Sequence, residues 1–132
     1  MHAAKGDYAT SSGYELQLDE ILSLQESFSP IAHIKNFELI KGDVAITLPR
    51  WTEANPHSIM SMAIFDMDVY EPTKAAIAGI ISRLTRGSLL VFDELNCKHV
   101  LGETLAGIEE LGKLRLERFP HQPFCAFAVF EG

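Results

Sequence analysis

Three short stretches of the chain set carboxylates directly after apolar runs: Gly42-Asp43 after Phe37 to Ile40, Asp66-Met67-Asp68 after Ile59 to Phe65, and Asp93-Glu94 after Ser88 to Phe92. Carboxylates brought together from neighbouring strands supply the hard oxygen ligands that Mg²⁺ or Ca²⁺ prefers, and the cation in turn relieves their repulsion. Asp66, Asp93 and Glu94 are the candidates for that role. A cation there acts as a Lewis acid on a substrate hydroxyl, and Asp68, two residues beyond Asp66, can accept the proton. The competing reading is that each acid caps the next helix or stays solvated. Two acid pairs behind two apolar runs favour a site.

Other chemistries lack their residues. His2, His33, His57, His99 and His121 show neither HxxxH nor HExxH spacing, which argues against a zinc enzyme. His99 lies just past the second acid pair, where a surface loop is a simpler reading than a pocket wall. Cys97 and Cys125 form no CxxC motif, so neither a disulfide framework nor a cysteine zinc site is expected, and Cys97 reads as an inert thiol. The absence of GxSxG, Walker and GxGxxG patterns removes support for hydrolase and nucleotide-phosphate readings.

Positioning the acids requires alternating helices and strands. Residues 1–13 are polar and without periodicity, which predicts a flexible N-terminal segment ahead of one domain over 14–132. Tyr14, Leu18, Ile21, Leu22 and Phe28 recur at helical spacing up to Ser29-Pro30. A short strand at Phe37 to Ile40 and a weaker helix from Val44 to Asn55, interrupted by Pro49, follow. Ile59 to Phe65 is apolar almost throughout, as in a strand buried on both faces. Pro72 suits the first turn of a helix whose inner face carries Ala76, Ile77, Ile80, Ile81 and Leu84, with Gly87 as its cap.

Ser88 to Phe92 predicts a second buried strand. Gly102 to Leu111 predicts a helix with Leu105, Ile108 and Leu111 on one side and Gly112 after it, and Leu114 to Phe119 with Phe124 to Phe130 predict a closing hairpin. The order implies an α/β layer with a largely parallel sheet, whose ligand crevice lies outside the carboxyl ends of the strands. Three strand ends would then meet at one acidic rim.

The chain has 132 residues, 11 Lys+Arg and 18 Asp+Glu, a net charge of −7, and 47% hydrophobic residues. That is one globular domain with no basic cluster, which speaks against nucleic-acid binding. No apolar run reaches the roughly 20 residues of a membrane span, so a soluble, cytoplasmic protein is expected.

Phe65-Asp66-Met67-Asp68-Val69-Tyr70-Glu71-Pro72-Thr73-Lys74-Ala75-Ala76, with Leu84 to Glu94 and Gly102-Glu103-Thr104, resembles the macrocin-type O-methyltransferases. These are class I S-adenosylmethionine-dependent enzymes that modify sugars of natural products. The resemblance implies a three-layer Rossmann-like sheet of order 3-2-1-4-5-7-6, mainly parallel with a C-terminal antiparallel hairpin. It assigns the five strands here as 3, 4, 5, 6 and 7, lacking strands 1 and 2.

The resemblance further implies S-adenosylmethionine as cofactor, with Gly42 and Asp43 flanking its adenine. It places Mg²⁺ or a similar cation on Asp66, Asp93 and Glu94, and makes Asp68 the general base toward a hydroxyl of a small molecule or sugar. The family usually ends its fifth strand in two aspartates, whereas here the second acid is Glu94, one methylene longer. With the glycine-rich turn of strand 1 absent, the chain is expected to be the C-terminal portion of such an enzyme, or to pair with a partner chain supplying the missing strands. The alternative is a non-catalytic relic or interaction module that dimerises through an exposed sheet edge.

Overall fold

The computed structural model describes residues 11–112 and 114–132. Residues 1–10, most of the expected flexible segment, lie outside the described residues. The chain divides into two compact units, one ending at Gly42 and the other running from Asp43 to Gly132.

The described part of the smaller unit holds helix α1, Tyr14–Ser27, which opens at Gly13 with a left-handed φ of 86° and buries no residue. The segment that follows is tied back to it by polar contacts. Lys35 pairs with Asp19 at 3.1 Å, Lys41 pairs with Glu15, and the Asn36 N–H donates to Glu26. Phe37 to Ile40, expected as a strand, pairs with nothing in the described sheet and is not a strand. Four apolar-rich residues without a ladder partner do not make a stable strand.

The larger unit contains α2 (Val44–Ala54), β1 (Met60–Phe65), α3 (Tyr70–Ile80), β2 (Leu84–Phe92), α4 (Gly102–Leu111), β3 (Glu117–Arg118) and β4 (Ala126–Val129), with a 3₁₀ turn at Ile81–Arg83. Asp43 caps α2 by accepting the Ala45 N–H at 3.0 Å. Pro49 sits inside α2 without ending it. Beyond it, Arg83 donates to the carbonyls of Thr52 and Pro56 and so fixes the chain entering β1.

The sheet order is β1-β2-β4-β3. β1 and β2 are parallel, with Phe65 opposite Phe92, while β2–β4 and β3–β4 are antiparallel. The expectation of a mainly parallel sheet is therefore corrected to a mixed one, because among the described residues β1 to β2 is the one strand-helix-strand crossover and β4 inserts between β2 and β3. The β1–β2 ladder is irregular between Met60 and Met62. Gly87, expected to cap α3, lies inside β2 at φ 95°. Buried Ser88 fastens this irregularity, donating to the Met60 carbonyl at 2.7 Å while accepting the Thr85 N–H at 2.9 Å.

The core joins one face of the sheet, through Phe65, Leu90 and Phe92, to Ala76, Ile77 and Ile80 of α3 and Ala106 of α4. Phe65 and Phe92 stack with ring centres 4.9 Å apart. β1 is not buried on both faces as expected. It is the sheet's edge, and Met62 and Ile64 are 53% and 65% exposed. The side of α4 that gathers Leu105 and Ile108 is not its inner face. Glu103, Ala106 and Gly107 point inward while Leu105 and Ile108 are exposed.

Small residues at the N-terminal end of α4 let it approach the turn after β1. A Cβ on Gly102 would stand 2.4 Å from the Tyr70 nitrogen and 2.5 Å from the Asp68 carbonyl oxygen. No helix among the described residues is long and apolar enough to cross a membrane. Because that contact is backbone against backbone, Gly102→Ala is expected to cost about 3 kcal/mol, the upper end for overpacking. Gly107→Ala, whose Cβ would meet Phe92 at an ordinary 3.6 Å, is expected to change stability by less than ~1 kcal/mol. Urea denaturation of the two variants checks the contrast.

Candidate active site

The chain leaves β1 at Asp66 and turns sharply. The Val69 N–H donates to the Met67 carbonyl, and Asp68 between them takes a φ of 59°. A three-residue turn with positive φ on a non-glycine residue is strained, and such strain persists only where the surroundings enforce it. Here the enforcement comes from Glu103. Its carboxylate, fully buried, accepts the N–H groups of Met67 at 3.0 Å, Asp68 at 3.4 Å and Glu94 at 3.2 Å. One side chain thus holds the acidic turns after both parallel strands.

The β1–β2 pairing continues past the strand ends, with the Asp93 N–H donating to the Phe65 carbonyl at 3.1 Å. Asp66 and Asp93 are exposed, whereas Asp68 and Glu94 are half-buried. Burial raises Asp68 above the ordinary aspartate range, and the charges of Asp66 and Asp93 push it further. Glu94 is raised by burial and by Asp68, Asp93 and Asp66. Burial also raises Glu103, against the pull of its three backbone donors. Four of the six expected site residues, Asp66, Asp68, Asp93 and Glu94, therefore share one electrostatic environment.

Two strand ends, not three, build this rim, since among the described residues no strand precedes Gly42-Asp43. Asp43, through the turn after β1, still reaches the neighbourhood. It lines a cleft of about 400 Å³ with Val69, Tyr70, Glu71, Pro72 and Ala75, a size ordinary for small-molecule sites. Gly42 has a φ of 145° and belongs to the other unit. His99 is exposed, yet it shares a smaller pocket of about 170 Å³ with Asp68 and Tyr70. Cys97 is buried.

Oxygen donors repelling one another are the chemistry a hard cation would settle. Their placement does not provide it: among the described residues no three His, Cys, Asp or Glu side chains are arranged to hold a metal ion. Asp68 and Glu94 are raised above ordinary carboxylates by burial and by neighbouring acids, which suits a carboxylate to exchanging a proton with a hydroxyl. The Asp43 cleft combines a carboxylate, a tyrosine and aliphatic walls, the mostly apolar lining with few polar groups that small-molecule sites have.

Glu103 is the site residue that sequence reasoning missed. The signal was present: Glu103, Ala106 and Gly107 follow i, i+3, i+4 spacing, which puts the acid on the same face as the two small residues.

The raised acids fix the sign of the pH dependence. Folding favours the protonated forms of Asp68, Glu94 and Glu103, so their contribution is fully present below the ordinary carboxylate range and is lost as pH rises through their elevated folded values. Thermal midpoints are expected to increase from neutral toward mildly acidic pH, and Asp68→Asn with Glu94→Gln to flatten that rise. Glu103→Gln keeps one acceptor but turns an N–H toward the Glu94 N–H, and is expected to cost about 1–3 kcal/mol in urea denaturation.

No family model matches the chain, and no curated protein does. Solved structures do. An apo structure of CalS11, described as a TDP-rhamnose 3'-O-methyltransferase in calicheamicin biosynthesis, superposes with a TM-score of 0.86 at 34% identity, over 93% of this chain and 55% of that one. A second CalS11 structure gives 0.90 at 34% identity, over 98% and 52%. The O-methyltransferase NovP gives 0.64 at 12% identity, over 99% and 56%, a likeness of fold alone. The chain spans about half the length of these proteins, and over that span it has the α/β fold of the O-methyltransferases.

Proposed function

We propose that this chain is the acid-bearing part of an S-adenosylmethionine-dependent O-methyltransferase that methylates a hydroxyl of a sugar. The observation that carries this reading is the 34% identity to CalS11 across 98% of the chain, together with the coupled acids at the ends of β1 and β2. In this reading Gly42 and Asp43 flank the cofactor's adenine, and strands 1 and 2 of the family order pair along the free side of β1. A segment outside this sequence or a partner chain would contribute them.

When bound, S-adenosylmethionine supplies an electrophilic methyl group. Asp68 takes the proton of the acceptor hydroxyl as its oxygen bonds to that methyl, and the methyl's bond to sulfur breaks. Glu103 keeps Asp68 on the strained turn that faces the acceptor, and acts as a positioning residue. A proton acceptor with a raised pKa is closer to the operating pH and therefore better matched to the hydroxyl it serves. Asp66, Asp93 and Glu94 remain the candidate ligands of a divalent cation, supported by their mutual repulsion and not by donor geometry, so no step is routed through it.

A second reading, an interaction module that pairs through β1, is supported by the exposed, apolar character of that edge strand. The two separate cleanly. Calorimetric titration with S-adenosylmethionine should give saturable heat, and Asp68→Asn should lower methyl transfer to a nucleotide-activated deoxysugar by about 10²–10⁴-fold with cofactor binding retained. No heat at millimolar cofactor, together with a dimer by light scattering, would favour the module. A thermal shift with Mg²⁺ that Asp93→Asn abolishes would support the cation, because a ligand of the folded state raises its stability.

A further inference from the structure

We propose that the cavity bounded by the end of β2, one side of α4 and the segment leading to β3 is a binding site for an uncharged, apolar group about the size of an aromatic ring. Under the proposed function it would seat the apolar flank of the acceptor, and that part of the inference rests on that reading. The cavity measures about 210 Å³ and is walled mainly by Phe92, Leu95, Gly107, Ile108, Leu114 and Leu116. An apolar cavity of about 150 Å³ already accepts benzene.

None of the lining residues is charged. The Thr104 hydroxyl on the wall is engaged, accepting the Asn96 backbone N–H at 2.7 Å. Among the described lining residues a phosphate or carboxylate would find no cation, and burying it unpaired would be costly. Two features distinguish the cavity from a packing defect. Gly107 sits mid-helix, where glycine is unfavourable, although a Cβ would meet Phe92 only at an ordinary 3.6 Å. Close packing of α4 on β2 therefore does not demand it, whereas any larger side chain would take up cavity volume. At the mouth, Ile108 is 62% and Leu116 48% exposed, leaving an apolar lip.

The position also fits. Leu95 and Asn96 directly follow Asp93-Glu94, and Thr104 directly follows Glu103. A ligand in the cavity would touch the turn after β2 and the helix that carries Glu103.

Benzene titration of the full chain, followed by backbone amide NMR and thermal denaturation, tests this. Saturable shifts at Gly107, Ile108 and Leu116 and a raised melting temperature are expected. Gly107→Leu, which fills the cavity, and Ile108→Glu, which charges its exposed lip, should each weaken benzene binding at least tenfold while the circular dichroism spectrum is unchanged. Absence of saturable shifts in the unmodified chain, or equal affinity in both variants, overturns the assignment. The readout needs no methyl transfer, so an inactive chain that binds benzene rejects only the acceptor role, and a chain that refuses benzene rejects the cavity site whatever its activity.

Discussion

The acid rim depends on one buried carboxylate. Removing Glu103 from water costs several kcal/mol. Three backbone N–H groups, each a charge-assisted hydrogen bond worth about 1.5–3 kcal/mol, offset that cost. The balance is close, and its value lies in geometry more than in stability. Met67 and Asp68 belong to the turn after β1, and Glu94 to the turn after β2. A single carboxylate bridging both sets their separation without using the side chains of the acids themselves.

That arrangement leaves Asp66, Asp68, Asp93 and Glu94 in no ion pair among the described residues, so the rim works against folding. Repulsion and burial raise two of the acids, and Asp68 adds a backbone conformation that an aspartate adopts only under constraint. Elsewhere the chain neutralises its charges: Lys74 of α3 donates to Glu109 of α4 and to the Tyr70 hydroxyl, an exposed clasp far from conflict. Strain and like charge concentrated at two turns, beside a fold otherwise locally consistent, is how functional sites depart from the rules that specify folds.

Much of this was legible in the residues. Asp66-Met67-Asp68 and Asp93-Glu94 fall where the apolar runs end, α2 and α4 begin where expected, and the closing hairpin forms. The errors have physical causes. Phe37 to Ile40 has strand composition but joins no ladder among the described residues, and composition alone does not supply one. Ile59 to Phe65 has the pattern of a doubly buried strand because an apolar edge strand and an apolar central strand look alike in sequence. Gly87 matches a helix-cap pattern, yet its positive φ serves an irregular strand. In α4 the large apolar residues share one side, yet tertiary packing chose the small ones for the inner face.

That choice in α4 is what makes the rim possible. Helices packed through large side chains stand farther apart than those packed through glycine and alanine. With Leu105 and Ile108 inward, α4 would be lifted off the sheet, and a glutamate with two methylenes could not reach amides on two separate turns. Gly102 and Ala106 bring the helix down, Gly102 to backbone contact distance from the turn after β1. The same closeness turns Leu105 and Ile108 outward and leaves open space beside Gly107. The exposed apolar lip, the cavity behind it and the buried carboxylate are thus three consequences of one helix rotation, set by where the small residues fall in a ten-residue helix.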